Sequence, residues 1–162
     1  MEELTRVRLR RRCRTLLRDV RLPERFTAQS LCEVVAERRG RRLHLHPMAP
    51  FAADEQLPSG MWVATDVADH IFYEQQTSQF HQDHIIFHEI GHILCGHTSP
   101  LIAEPPNADT VAQVLNRAGY TTGQEQEAEM VATLLLGRAH TAPGALNETE
   151  KRISNALGLA GE

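Results

Sequence analysis

Two histidines one helical turn apart, His88 and His92, constrain this chain more than any other feature. They stand in a predicted helix from about Gln79 to Cys95 with an apolar side of isoleucine and leucine. At this spacing the imidazoles differ by about 40° in rotation and about 6 Å along the axis, so both can reach one metal ion. Glu89 lies about 100° further round the helix and can reach a water in an open coordination position. The pattern therefore predicts two metal ligands, His88 and His92, and a general base, Glu89.

A third protein ligand is expected from a later helix that runs roughly from Gln124 to Arg138. Three glutamates stand in its first half: Glu125, Glu127 and Glu129. The inward stripe of this helix is made by Met130, Val131, Leu134 and Leu135. Glu127 lies three and four residues before the first two of these, and a buried carboxylate is costly unless it is paired or binds a metal. Glu127 is accordingly predicted as the third ligand, with Glu125 and Glu129 on the flank.

The remaining periodicities predict an α+β domain with a small, mostly antiparallel sheet packed against the two ligand-bearing helices. Thr27 is a predicted N-cap, with Phe26 and Leu31 as a hydrophobic staple, and Gly40 is placed to end that helix. The predicted helices are 9–20, 27–40, 79–95, 110–117, 124–138 and one near 147–158, and the predicted strands are 43–46, 61–65 and 71–74. Residues 47–60 are predicted as a loop, and 66–69 as a turn.

We predict one domain over 1–162, made of a basic N-terminal helix (1–25), a core (26–140) and a C-terminal helix (141–162). Residues 1–42 hold 13 arginines and 6 acidic residues, whereas residues 43–162 hold 4 basic and 15 acidic residues. The basic segment is expected to contact the acidic remainder of the chain, an acidic partner or nucleic acid.

The cysteines and the hydropathy of the sequence are used to predict the cellular compartment of the protein. Cys13, Cys32 and Cys95 form no CxxC pair and indicate no disulfide framework. The arginine-rich start is not followed by the apolar segment of a secretory signal, and the apolar runs are too short to span a membrane. A cytoplasmic protein without membrane contact is therefore expected.

Residues 88–97, HEIGHILCGH, followed by Glu127-Ala128-Glu129-Met130-Val131-Ala132, resemble the ImmA/IrrE family of metallopeptidases. That family typically carries HELGHLLLGH and a later Glu-Ala-Asn-x-Phe-Ala segment. Its zinc ligands are the two motif histidines and the Glu of Glu-Ala, which correspond to His88, His92 and Glu127. The chain departs from the family at Glu129 and Val131, and at residues 78–84 in place of Arg-x-Arg-Phe.

The resemblance implies a zinc-dependent endopeptidase that cleaves a protein, typically a separate DNA-binding regulator. Residues 98–122 are expected to form part of the substrate-facing wall, and a substrate segment is expected to pair with an exposed strand within 61–74. One alternative is a regulatory binding module with a structural zinc site that sequesters a transcription regulator. Another is direct nucleic-acid binding through the arginine-rich first helix.

Several further polar residues are candidates for roles around the metal. His84 is interpreted as part of a polar helix flank, and Cys95 as a buried small residue. His97 is a candidate for a supporting role if Gly96 ends the helix and turns the chain back. Tyr73, Tyr120 and His140 are the candidates for an oxyanion donor, and the sequence does not rank them.

Overall fold

The structure is a computed structural model and describes residues 2–49, 59–104, 106–107, 110, 114, 119–140 and 156. The α+β class is confirmed within these residues, which form four helices and three strands. They are α1 (Glu2–Val20), α2 (Ala28–Arg39), β1 (Arg42–Met48), β2 (Gly60–Ala64), β3 (Ala68–Glu74), α3 (Gln79–Leu94) and α4 (Thr122–Ala139). Apart from single positions, the helices predicted at 110–117 and within 141–162 lie outside the described residues.

The helix boundaries follow from local chemistry. Thr27 accepts the Ser30 backbone N–H and completes a capping box at the start of α2, while Gly40, at φ 67°, ends that helix in the left-handed region. Ser78 caps α3 by accepting the His81 N–H. Thr121 caps α4 with a second capping box. These caps fix where the helices that carry the histidine pair and the three glutamates begin.

The sheet has the order β1-β3-β2 and is mixed rather than mostly antiparallel. β2 and β3 pair antiparallel, with Trp62 opposite Ile71, whereas β1 pairs parallel to β3, with Leu45 also opposite Ile71. The parallel pair arises because β1 lies beside β3 and not beside the strand that follows it in sequence. Pro47 was predicted in a loop but lies in β1, where an edge strand tolerates its missing N–H.

The main core lies between one face of the sheet and the helices. Trp62 and Ile71 point into it with the inward residues of the helices, and Phe26 meets Phe87 edge to face at 6.0 Å. The next residues along the strands, Met61 and Phe72, belong to a smaller cluster on the opposite face. This alternation is the period of two that the sequence predicted.

A buried carboxylate ties α2 to the sheet. Asp69 is 0% exposed and accepts hydrogen bonds from Arg39 Nε at 2.6 Å and Trp62 Nε1 at 3.1 Å. Arg41 Nε lies 3.4 Å from the same carboxylate. In the described part of the chain, no helix combines the length and apolar character needed to cross a bilayer.

Candidate metal centre

The two motif histidines converge as their spacing predicted. His88 and His92 lie on one face of α3, and their Nε2 atoms are 3.2 Å apart. His92 is only 1% exposed, whereas His88 is partly open to solvent. The pair is therefore presented at the edge of the core, with one approach left open.

The carboxylate that joins the histidines belongs to Glu125. Its Oε2 lies 3.0 Å from His88 Nε2, and its Oε1 lies 3.6 Å from His92 Nε2. Glu127 stays the third ligand predicted from the sequence, but the structure places Glu125 and not Glu127 at this point. The reason is the orientation of α4, whose Glu127 side turns towards α1, where Glu127 Oε1 meets Arg12 Nη1 at 3.0 Å.

Gly91 allows α3 and α4 to approach closely enough for this convergence. A Cβ atom on Gly91 would lie 2.7 Å from the Ala128 carbonyl oxygen and 2.9 Å from the Ala128 Cα atom. Both distances are shorter than a normal van der Waals contact, and both neighbours are backbone atoms. Glycine is therefore required where the helix carrying the histidines crosses the helix carrying Glu125.

Glu129 orients His88 from one turn further along α4. His88 Nδ1 lies 3.1 Å from Glu129 Oε2, and His84 Nε2 lies 2.9 Å from Glu129 Oε1. These hydrogen bonds hold the pKa of Glu129 well below its usual range, outweighing the effect of its partial burial. An ionised carboxylate only accepts hydrogen bonds, so His88 Nδ1 donates to Glu129, and His88 Nε2 can offer its lone pair when a cation rather than a proton lies between it and Glu125.

His92 is oriented by a second relay. Its Nδ1 lies 2.8 Å from His97 Nδ1, and His97 Nε2 lies 2.8 Å from Glu127 Oε2. Gly96, at φ 73°, turns the chain so that His97 points back at His92. Because His97 donates its Nε2–H to Glu127, its Nδ1 accepts from His92 Nδ1–H, which leaves a lone pair on His92 Nε2. His97 thus takes the supporting place proposed for it.

With His88 deprotonated at Nε2, three electron pairs face one point. They are the Nε2 lone pairs of His88 and His92 and a carboxylate oxygen of Glu125, separated by 3.0 to 3.6 Å. Four ligands in a tetrahedron around zinc at 2.0–2.1 Å would be about 3.3 Å apart. The donor set fits a divalent metal ion, and a cation removes the repulsion that the three lone pairs would otherwise suffer.

The protonation of the histidines agrees with this donor set. Burial, helped by the neighbouring His88 and His97, lowers the pKa of His92 to about 3, so its imidazole is neutral at pH 7. Burial also disfavours the charged form of His88. The Glu129 hydrogen bond and the charges of Glu89, Glu125 and Glu129 outweigh burial and raise the His88 pKa. Without a metal ion, a proton on His88 supplies part of the positive charge that the surrounding carboxylates and lone pairs favour.

Glu89 stands apart from His88, His92 and Glu125, the three candidate ligands. It is 7% exposed and accepts a hydrogen bond from the Trp62 backbone, and a Cβ atom on Gly60 would lie 3.4 Å from its Oε1. Burial and the charge of Glu125 raise its pKa to about 7, against the opposing effects of His88 and the Trp62 hydrogen bond. A carboxyl group with such a pKa can take up and release a proton near neutral pH.

The structure ranks the three oxyanion candidates. Tyr120 stacks on the His92 ring at 3.7 Å between centroids, and its hydroxyl is buried without a hydrogen-bond partner among the described residues. Burial and the charges of Glu89 and Glu125 raise the Tyr120 pKa, so the phenol stays protonated. His140 instead bonds to Asp83 at 3.0 Å, and Tyr73 packs against the main core. Only Tyr120 brings a free donor to the centre.

A second donor set lies beside the first. Cys95 Sγ, one His97 ring nitrogen and a Glu127 oxygen also lie within 4.8 Å of one another. Burial raises the Cys95 pKa to about 12, so its thiol stays protonated at neutral pH. Glu127 is already paired with Arg12, and His97 with His92. In this second set, His97 and Glu127 are therefore engaged in orienting His92 of the first centre.

An open cleft of about 920 Å³ leads to the first centre. His88, Glu125 and Glu129 form its inner wall, and residues of α1 that include Arg6 and Leu9 form the opposite wall. The metal position is therefore reachable by a molecule much larger than water.

The described residues thus define an α+β chain with a His-His-Glu donor set, a separate buried carboxyl group and a free phenol. Comparison with known proteins adds no assignment, because no family model, no curated protein and no solved structure matches the chain. The resemblance to the ImmA/IrrE family remains a prediction carried by residues 88–97 and 127–132.

Proposed function

We propose that the protein is a zinc-dependent endopeptidase whose ligands are His88, His92 and Glu125. The observation that carries the proposal is the convergence of three lone pairs on one point beside the non-ligand carboxyl group of Glu89. Two imidazole nitrogens and one carboxylate are a donor set of catalytic zinc sites, which keep a fourth position open. A structural zinc site is closed by four protein ligands, and the described residues supply three here. This difference favours the enzyme over the binding module.

The chemistry proposed for this site is hydrolysis of a peptide bond. A bound zinc ion supplies Lewis-acid polarisation of a carbonyl group and lowers the pKa of water. Glu89 takes the proton from the attacking water and passes it to the leaving amine, because its pKa of about 7 suits both transfers. The Tyr120 hydroxyl donates a hydrogen bond to the carbonyl oxygen as negative charge develops there. The unpartnered state of this hydroxyl supports the assignment.

The outer edge of β2 is the proposed place for a substrate strand. Ser59 O and Thr65 N bond to β3, so the alternation of an antiparallel pair directs the backbone of Gly60, Trp62 and Ala64 outward. Ala64 is already covered, since its N–H donates to Pro100 O at 3.2 Å. Trp62 is also partnered, since its N–H donates to Glu89 and its C=O accepts from Ser99 Oγ. Of the three outward residues, Gly60 remains, and a substrate strand that pairs there passes next to the base.

Residues 98–122 are proposed to contribute to the substrate-facing wall from both ends. At one end Ser99 Oγ donates to Trp62 O at 3.2 Å, and at the other Tyr120 stacks on His92. Cleavage-site preferences of variants shortened within 98–122 test this placement, and an unchanged preference would count against it. Following the family resemblance, we propose a DNA-binding regulator as the substrate, in the cytoplasm.

The first experiment measures zinc per chain and peptide cleavage for four variants: Glu89→Gln, Glu125→Gln, Glu127→Gln and Glu37→Gln. Zinc is measured after dialysis against a weak chelator, and cleavage is read by mass spectrometry on a proteome-derived peptide library. Glu37 is an exposed residue of α2 and controls for the loss of one charge.

We expect wild type and Glu37→Gln to hold one zinc and to cleave. Glu89→Gln should keep its zinc and lose cleavage. Loss of a direct ligand in Glu125→Gln should weaken zinc binding by more than the 10–100-fold expected for an outer-shell change such as Glu127→Gln. A wild type without zinc, or a Glu89→Gln variant that still cleaves, would refute the enzyme. Zinc lost with Glu127→Gln but kept with Glu125→Gln would restore the original ligand prediction.

A further inference from the structure

A second cleft lies beside the C-terminal half of α1. It has a volume of about 560 Å³ and is formed by the C-terminal half of α1 and the end of α4. Five guanidinium groups line it, and we call it the arginine cleft: Arg11, Arg14, Arg18, Arg21 and Arg138. Its other lining residues are one threonine and two leucines, so no acidic residue lines it in the described part of the chain.

Internal pairing does not account for Arg11, Arg18 and Arg21 of this cleft. The basic segment was expected to contact acidic residues of its own chain, and Arg12 does so with Glu127, as Arg39 does with Asp69. Within the described residues, the guanidinium groups of Arg11, Arg18 and Arg21 make no ion pair. All three are exposed. The expected contacts between the basic segment and acidic residues of the same chain are therefore made by other arginines, such as Arg12 and Arg39.

Helix-end electrostatics explains only part of the cleft. Arg18 stands in the last turn of α1 and Arg138 in the last turn of α4, where cations interact favourably with the helix dipole. This effect fades within one turn. Arg11 and Arg14 lie further back and gain little from it. Arg11, Arg18 and Arg21 are like charges without an ion-pair partner among the described residues, which indicates an anionic ligand.

The spacing of the row suits a chain of phosphates. Arg11, Arg14 and Arg18 follow one helix face at i, i+3 and i+7, with rises of about 4.5 and 6 Å between them, and Arg21 continues the row. Guanidinium groups recognise phosphate oxygens in a bidentate fashion. The described lining holds no aromatic side chain for base stacking and no amide for base-edge recognition. Such a surface would contact the phosphate backbone of a nucleic acid without distinguishing one base sequence from another.

We propose that the arginine cleft binds the phosphate backbone of a nucleic acid without base recognition. The site lies on α1 and the end of α4 and shares no residue with the metal ligands. It therefore stands or fails independently of the proposed peptidase activity.

The test measures binding of a fluorescein-labelled 20-base-pair DNA duplex to the full-length protein by fluorescence anisotropy between 25 and 300 mM salt. The cleft variant carries Arg11→Gln, Arg18→Gln and Arg21→Gln. The matched control carries Arg8→Gln, Arg25→Gln and Arg42→Gln, which remove the same charge from exposed positions outside the cleft. Circular dichroism checks that both remain folded, and single Arg11→Gln replaces the triple variant if it does not fold.

If each cleft arginine neutralises one phosphate, the cleft variant should reduce the salt-dependence slope by about 2.7 and the affinity at 0.1 M salt by up to about 500-fold. The control should change both much less. Absence of wild-type binding at 25 mM salt would overturn the proposal, as would equal losses in the two variants. A polyglutamate probe that binds as tightly as DNA and loses affinity in the same variant would overturn the nucleic-acid assignment in favour of an acidic protein.

Discussion

Replacing Gly91 with alanine tests whether the contact between α3 and α4 holds the metal centre together. The new Cβ atom would lie 2.7 Å from the Ala128 carbonyl oxygen, about 0.7 Å closer than an ordinary contact. Because the obstacle is backbone, no side-chain rotation relieves it, and the helices must separate. Overpacking of this kind costs about 1–3 kcal/mol, and the better helix propensity of alanine offsets about 1 kcal/mol. We expect a net loss of up to about 2 kcal/mol.

Gly123 provides the matched control on α4. A Cβ atom there meets only Thr121 Oγ1, at 4.0 Å, so Gly123→Ala gains the propensity term without a clash. We expect it to stabilise the protein by about 0.5–1 kcal/mol, opposite in sign to Gly91→Ala. Urea unfolding in the presence of a chelator measures both variants free of metal.

Zinc affinity gives the second measurement. Metal sites require ligand distances within about 0.2 Å, so a separation of about half an ångström between the two helices should lower the affinity at least about tenfold in Gly91→Ala. Gly123→Ala should bind zinc as wild type does. If Gly91→Ala is as stable as Gly123→Ala and binds zinc equally well, the close approach does not position the ligands.

Three further predictions concern single groups. The pKa of Glu89 is raised from 4.5 to about 7 by burial, so the folded metal-free protein holds a proton that the unfolded chain releases above pH 4.5. Its stability should fall by about 3 kcal/mol as pH rises from 4.5 through 7, and a pH series of urea titrations should show this loss in wild type but not in Glu89→Gln. Glu129→Gln should weaken zinc binding by about 10–100-fold, because it removes the carboxylate that fixes the His88 tautomer; competition with a chelator measures this, and an unchanged affinity would refute the orienting role. Asp69→Asn should lower the free energy of unfolding by about 3 kcal/mol by leaving buried donors of Arg39 and Trp62 poorly paired, and a urea titration that shows less than about 1 kcal/mol would contradict this.

The parts of the molecule that depend on local chemistry were predictable from the sequence. The cap at Thr27 and the glycine end of α2 lie at the predicted positions, because a cap needs only neighbouring residues. The face shared by His88 and His92 follows from helix geometry alone. The parallel pairing of β1 with β3 was not predictable, since it depends on how the chain crosses between β1 and β2.

The sequence argument chose Glu127 rather than Glu125 because it overlooked that α4 has two packed faces. Val131 and Leu135 are fully buried, whereas Met130 and Leu134 are only partly buried, and the sequence argument treated all four as one stripe. Met130 lines the cleft with Leu9 of α1, so this side of α4 faces the first helix. A carboxylate on that side is buried against a basic helix, which satisfies it without a metal. Burial alone was therefore an insufficient criterion.

The three glutamates of α4 act as one unit whose spacing assigns their roles. Glu125 and Glu129 are one turn apart and share the face towards α3, so one reaches the metal position while the other reaches the far nitrogen of His88. Glu127 is rotated by about 200° from each, so it would make no contact in a site formed by α3 and α4 alone. The Gly96 turn brings His97 to Glu127, which makes Glu127 the end of the relay that orients His92. His88 is thus hydrogen-bonded directly to Glu129, and His92 is connected through His97 to Glu127. Moving any one of the three glutamates by a single residue would break a different contact.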